Sequence, residues 1–241
     1  MASTLKRSLS AFVLLVAALA ILPTLRADEP GVALALVYDT SGSMMEPVRD
    51  RSGRNTPKYV IANRALMSII NRLEAVATNN AGGTPLRLEA GLFIFNNETA
   101  TAAVPFGPFN AAALRKWTRS FSQPAGPTPL GEAVRVAGQA VLKSPLSRKH
   151  ILVITDGMNT AGADPAAVIP RLRNEATKAS AAVEVHFVAF DVAAKVFDPV
   201  KKLGATVLGA GDELQLNTQL SFILEEKILL EAEEPAKPAK K

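Results

Sequence analysis

Asp39, Ser41 and Ser43 alternate with Thr40 and Gly42 in a short run that follows an uncharged apolar stretch, Val32 to Val37. One carboxylate and two hydroxyls at alternate positions of a tight turn can converge on a single point, and every donor among them is a hard oxygen. Oxygen donors without thiolate or imidazole suit Mg²⁺, Mn²⁺ or Ca²⁺ rather than zinc or copper. The run therefore reads as the first part of a cation site, and such a site needs further oxygens from elsewhere in the chain.

Those oxygens should follow other strands, because in an open parallel sheet ligands gather outside the carboxyl ends of strands near the point where strand order reverses. His150 to Thr155 leads directly into Asp156-Gly157, which puts a second carboxylate at a strand end beside a glycine that permits a sharp turn. Thr128, within Gly126-Pro127-Thr128-Pro129-Leu130-Gly131, offers a third hydroxyl from a stiff turn just before a helix. The candidate set is Asp39, Ser41, Ser43, Thr128 and Asp156. Taken singly, each has an ordinary reading, since serines cap helices and Asp-Gly is a common turn dipeptide. The metal reading rests on all of them together.

The elements that must position this set alternate along the chain. Val32 to Val37, Leu86 to Phe95, His150 to Ile154 and Val183 to Ala189 are nearly free of charge, as strands buried on both faces should be. Ala205 to Leu208 is a weaker fifth strand, and Thr99 to Val104 suits an antiparallel edge. Ile61, Ala62, Ala65, Leu66, Ile69, Ile70 and Leu73 recur at helical spacing on one stripe. Further helices are expected at Ala111 to Phe121, Leu130 to Leu142, Pro165 to Ala179, Phe197 to Leu203 and Glu213 to Glu226, with Asp164 as an N-cap before Pro165. The fold class that follows is α/β: a doubly wound, mostly parallel central sheet flanked by helices, with one antiparallel edge strand.

Composition narrows the function classes. The chain has 241 residues and a formal charge of +5. Lys6 and Arg7, then an uncharged stretch from Ala11 to Leu22, then Pro23 and Leu25-Arg26-Ala27, resemble a secretory signal peptide over residues 1–27. The apolar run is shorter than the roughly 20 residues a spanning helix needs, so cleavage is expected over an uncleaved N-terminal anchor. Without Lys6, Arg7 and Arg26 only two basic residues remain in excess of acids, and no basic patch interleaved with aromatics marks a nucleic-acid binder. With no cysteine, disulfides and thiol-linked lipid are excluded. An exported protein, periplasmic or secreted, is the expectation. The domain spans 28–226, and residues 227–241 form a charged tail.

The three segments in this order resemble the von Willebrand factor A domain, or VWA domain. Asp39-Thr40-Ser41-Gly42-Ser43 matches that family's metal-ion-dependent adhesion site (MIDAS), while Thr128 and Asp156 match its second and third site segments. The resemblance runs from about Val32 to about Leu224. It implies a Rossmann-like fold and one divalent cation, Mg²⁺ first, with Mn²⁺ or Ca²⁺ as alternatives. It also implies serine and threonine hydroxyls close to the ion, aspartates acting partly through water, and a protein partner that supplies an Asp or Glu to the metal. No nucleic-acid partner and no membrane span beyond the leader are expected.

An enzyme is the less favoured class. His150 and His186 are the only histidines and both fall in apolar strand patterns, and no Gly-x-Ser-x-Gly elbow, Walker loop or dinucleotide fingerprint is present. The alternatives to a binding module are a metal-dependent phosphoesterase and a scaffold whose metal is purely structural. The stretch Met45 to Lys58, with Arg49, Arg51, Arg54 and Lys58, reads as a solvated loop rather than a basic rim that attracts an acidic partner.

Overall fold

The structure, a computed structural model, describes residues 29–78 and 85–230. The leader and the residues 231–241 of the tail lie outside them, as does most of the Gly-rich loop at Asn79 to Pro85. In chain order, β1 (Glu29–Tyr38) enters a 3₁₀ turn at Gly42–Met45, a short hairpin of β2 (Pro47–Arg49) and β3 (Asn55–Pro57), and α1 (Lys58–Thr78). Next come β4 (Leu88–Asn96), β5 (Thr99–Pro108), α2 (Ala111–Ser120), α3 (Leu130–Leu142) and β6 (Leu146–Thr155). Then follow α4 (Pro165–Lys178), β7 (Glu184–Phe190), α5 (Asp198–Lys202), β8 (Thr206–Ala210) and α6 (Glu213–Phe222), which continues as a π-helical segment, Ile223–Leu229.

The main sheet has the order β5-β4-β1-β6-β7-β8. All neighbours are parallel except β4 and β5, so the expected mostly parallel sheet with one antiparallel edge is what forms. From β1 the chain moves to β4 and β5 on one side and then crosses to β6 on the other. Strand order thus reverses around β1, and the crevice at its carboxyl end is the place where this architecture puts ligands. Registry decides which residues meet there. Tyr38 pairs with Ile154, and the Asp39 N–H donates to the Ile154 carbonyl at 3.0 Å, which sets Asp39 beside Thr155 and Asp156.

Side chains of β1 alternate between two cores, the period-two rule of a strand covered on both faces. Leu34, Leu36 and Tyr38 pack with Ile61, Leu66 and Ile70 of α1 and with Leu216 and Leu220 of α6. Ala33, Ala35 and Val37 face the other way, towards Val134 of α3 and Ile169 and Leu172 of α4. All of Val32 to Tyr38 are buried, and each fully buried large aliphatic side chain contributes on the order of 1.5–3 kcal/mol. The functional turn is therefore rooted in a strand that has no freedom to slide.

Three local expectations change. Residues 47–57 fold as a hairpin instead of an unstructured loop, because Asp50 organises it. Its Oδ1 accepts the Ser52 N–H at 2.9 Å, the Ser52 hydroxyl at 2.7 Å and the Arg54 N–H at 3.0 Å, and its Oδ2 accepts the Thr56 hydroxyl at 2.9 Å. An aspartate that satisfies neighbouring backbone donors in this way makes a stable turn, and the Ser52 hydroxyl foremost holds its carboxyl well below the usual range. The segment at Phe197 to Leu203 divides into a 3₁₀ turn, Ala194–Phe197, and the short α5. The last helix does not stop at Glu226. It runs to Leu229, with Ile228 buried alongside Ile223 and Leu224 in the core. Among the described residues no helix is long and apolar enough to cross a membrane.

Candidate metal centre

Asp39 is the hub of the site. Wholly buried, it accepts the Ser41 N–H at 2.8 Å and the Ser41 hydroxyl at 2.5 Å on Oδ1, and the Thr155 hydroxyl at 2.6 Å on Oδ2. Ser41 and Ser43 place their Oγ atoms 3.1 Å apart. The Ser43 hydroxyl donates to Asp156 Oδ1 at 2.8 Å. An unbroken chain of oxygens therefore runs from the end of β6 through Asp39, Ser41 and Ser43 back to Asp156 at the same strand end.

Thr128 reaches this chain from a different loop. Ala125 N–H donates to the Thr40 carbonyl at 2.8 Å, and Gly42 N–H to the Gly126 carbonyl at 3.1 Å, which fastens residues 125–126 to the serine turn. The Thr128 N–H donates to the Thr160 hydroxyl at 2.8 Å and the Thr160 N–H to the Thr128 carbonyl at 3.0 Å, which fastens the same loop to the segment after Asp156. Gly131 makes this approach possible, since a Cβ there would overlap the Ala163 carbonyl oxygen. Thr128 Oγ1 and Ser43 Oγ lie 3.7 and 3.9 Å from the place a Cβ would occupy on Gly157. A side chain at 157 would fill the space that these two hydroxyls face.

All of the residues singled out in the sequence thus lie around one end of β1 and β6, with Asp39, Ser41, Ser43 and Asp156 in one hydrogen-bonded network and Thr128 beside it. Among the described residues, no three His, Cys, Asp or Glu side chains are grouped to hold a metal, so a cation here would depend on the hydroxyls. The donor chemistry fits a hard divalent ion. Burial, and then the neighbouring Asp156 charge, push the Asp39 carboxyl up to about 6 against an ordinary 3.8, although the Ser41 and Thr155 hydrogen bonds pull the other way. A buried carboxylate strained in this direction is relieved by a nearby cation.

Two neighbours of the set, Thr155 and Lys58, do not belong to the set expected from the sequence. Thr155, which orients Asp39, is a strand residue in the sequence-based expectation, although its place next to Asp156 at the strand end is a usable signal. Lys58 is expected from the sequence to be one charge of a solvated loop. It is buried, and its Nζ bonds Asp156 Oδ2 at 3.0 Å, Glu46 Oε2 at 2.9 Å and Asp191 Oδ2 at 3.2 Å. Burial lowers the lysine pKa, but the Glu46, Asp156 and Asp191 carboxylates together outweigh it and hold the ammonium above its ordinary value. Of the other charges in that stretch, Arg51 lies 3.6 Å from Glu213 and Arg54 3.5 Å from Asp50. The two histidines stack on β6 and β7 with Nδ1 of His150 3.3 Å from Nε2 of His186. His150 lies six residues before Asp156 on its strand, towards the opposite end of the sheet, so no imidazole base serves the site.

Known proteins match the family and the fold. The von Willebrand factor type A domain family matches residues 33–211. No curated protein matches the sequence. Among solved structures, the PilB minor pilin from Streptococcus sanguinis is similar at 16% identity and TM-score 0.59, over 82% of this chain and 61% of the pilin. The vWF domain of the type V pili tip protein Mfa5 from Porphyromonas gingivalis is similar at 11% identity and TM-score 0.62, over 86% and 98% respectively. Proximal thread matrix protein 1 from the mussel byssus, in a form with a zinc-occupied MIDAS motif, is similar at 16% identity and TM-score 0.54, over 81% and 48%. The chain spans about three fifths of the pilin and half of the matrix protein.

Proposed function

The chain belongs to the von Willebrand factor type A domain family, and from that membership and the geometry of its carboxylate and hydroxyl cluster we propose that it is a divalent-cation-dependent protein-binding module. Asp39, Ser41, Ser43, Thr128 and Asp156 are the residues that would hold the ion, Mg²⁺ first, with Mn²⁺ or Ca²⁺ as alternatives. A bound cation would supply a Lewis-acidic point that an Asp or Glu of a partner protein completes. The observation that carries this reading is the oxygen network from Asp39 to Asp156, assembled from separate segments at the crevice where strand order reverses.

Electrostatics favour binding over bond-breaking. Two carboxylates roughly balance a divalent charge, and hydroxyls are neutral, so the ion keeps its attraction for an incoming carboxylate. A hydrolase would need a base to activate water. The Lys58 ammonium is held protonated by three carboxylates, and both histidines lie elsewhere. Structural neighbours from pili and a byssal matrix support an adhesive role by analogy.

Export belongs to the same proposal, motivated by the basic and then apolar start of the sequence. Intact-mass analysis of the exported protein should give a chain beginning near Asp28, whereas Met1 retained in a membrane fraction would mark an anchor. For binding, envelope or secreted extract is passed over the immobilised protein with Mg²⁺ and again with EDTA. Partner capture that EDTA abolishes supports the proposal. Phosphoester turnover would instead make it a hydrolase, and a metal-dependent rise in melting temperature without capture would make the ion structural.

A further inference from the structure

Lys58 opens α1 with a side chain only 4% exposed, and its Nζ meets three carboxylates: Glu46 from the turn after Ser43, Asp156 from the end of β6 and Asp191 from the end of β7. An ammonium has three N–H donors, so each carboxylate takes one. Asp156 alone belongs to the candidate metal set. Glu46 and Asp191 have side chains 66% and 40% exposed and no such commitment. Glu46 follows Ser43 by three residues. Its N–H donates to the Ser43 carbonyl at 2.9 Å, and its carboxylate shares one nitrogen with Asp156.

We infer that Lys58 is a positioning residue that keeps the protein's own Glu46 away from the cation, so that a coordination position stays open to the partner's acid. The inference rests on the cation-binding reading above. Its physical basis is effective concentration: a carboxylate tethered a few residues from a ligand competes at roughly millimolar or higher local concentration, above what a soluble partner reaches. An exposed ion pair alone would be too weak to restrain it. Here the ammonium is buried and held by Asp156 at 3.0 Å and by Asp191 at 3.2 Å, so Glu46 is anchored to a group that is itself fixed on two other sides. The same ammonium holds Asp156 Oδ2 and leaves Oδ1 to Ser43.

Mn²⁺ is the probe, because water-proton relaxation counts the exchangeable waters on the bound ion without needing the partner. Wild-type protein, Lys58→Met, Glu46→Gln and the double variant are titrated, with circular dichroism to check folding. Lys58→Met is expected to bind Mn²⁺ at least about tenfold more tightly, as a cation is removed and a carboxylate released, and to lose at least one exchangeable water. Glu46→Gln alone should match wild type, and the double variant should regain the lost water. Regained hydration separates the inference from a simple charge effect, which would raise affinity in both Lys58 variants and leave hydration alone.

If Lys58→Met does not fold, Lys58→Ala, which removes the donors to Glu46 and leaves room for water in their place, is used instead. Wild-type hydration in the folded Lys58 variant overturns the inference, as does a marked loss of Mn²⁺ affinity in Glu46→Gln alone. No Mn²⁺ uptake by wild-type protein overturns the cation reading itself, a result distinct from either.

Discussion

Lys58 Nζ lies 3.0 Å from Asp156 Oδ2 while the other oxygen of that carboxylate accepts the Ser43 hydroxyl at 2.8 Å. One buried side chain thereby ties the start of α1 to the turn after β1 across the end of β6. Removing a partner from a buried charge is costly because the remaining charge stays desolvated. Lys58 keeps Glu46 and Asp191, so the cost here is that of one charge-assisted hydrogen bond and the Ser43 contact. Asp156→Ala in an Asp39→Asn background, where the repulsion between the two carboxylates is absent, should lower unfolding free energy by about 1.5–3 kcal/mol in metal-free buffer, read by urea denaturation. A loss near zero would mean that the pair has no structural weight.

Asp39 should behave in the opposite sense. Its carboxyl is wholly buried and held up at about 6, so its charged form opposes folding at neutral pH when no cation is present. Asp39→Asn removes the charge and retains the shape. The variant is expected to be more stable than wild type in EDTA by about 1–3 kcal/mol at pH near 7. Equal or lower stability would show that the surrounding donors, not burial, dominate this group.

The pH dependence follows from the same shift. Folding raises the Asp39 pKa from 3.8 to about 6, so the folded state binds this proton more tightly than the unfolded state. Its favourable contribution is complete below the unfolded value and is lost as pH rises through about 6, a change of about 3 kcal/mol over that window. Compared with Asp39→Asn, metal-free wild type should lose stability between pH about 4 and 6. A cation must displace the proton, so Mn²⁺ affinity should weaken below pH about 6. Parallel stability profiles for the two proteins would contradict this.

Thr155 can be tested without touching the candidate set. Its hydroxyl donates to Asp39 Oδ2 at 2.6 Å and lowers the pKa of that carboxyl. Thr155→Val keeps the β-branched shape and leaves one lone pair of a buried carboxylate unmet, at a cost of about 1–3 kcal/mol. The Asp39 pKa should rise further, moving the metal-free stability transition to higher pH. An unmoved transition would show that Thr155 does not set the proton affinity of Asp39.

Much of this was legible in the sequence because parallel strands buried on both faces announce themselves. Val32 to Val37 and His150 to Ile154 are uncharged runs that end at Asp39 and Asp156, and the topology then brings those ends together. The hairpin around Asp50 was hidden because no alternation of apolar residues marks Pro47–Arg49 or Asn55–Pro57; side-chain hydrogen bonds to backbone, not burial, build it. Lys58 was hidden for a related reason. A lysine in a basic run resembles solvated charge until the fold shows three carboxylates from distant segments around it. The extension to Leu229 has no clear sequence signature because Glu225, Glu226 and Lys227 interrupt the apolar pattern and a π-helical turn shifts its spacing.

The central claim, that these oxygens hold a cation, is tested most directly by calorimetric titration of wild-type protein, Asp39→Asn and Asp156→Ala with Mg²⁺ and with Mn²⁺. Wild type should take up one equivalent, and each variant should bind about 10–100-fold more weakly, since each loses a charged member of the site. Affinity and stoichiometry unchanged from wild type in both variants would contradict the account.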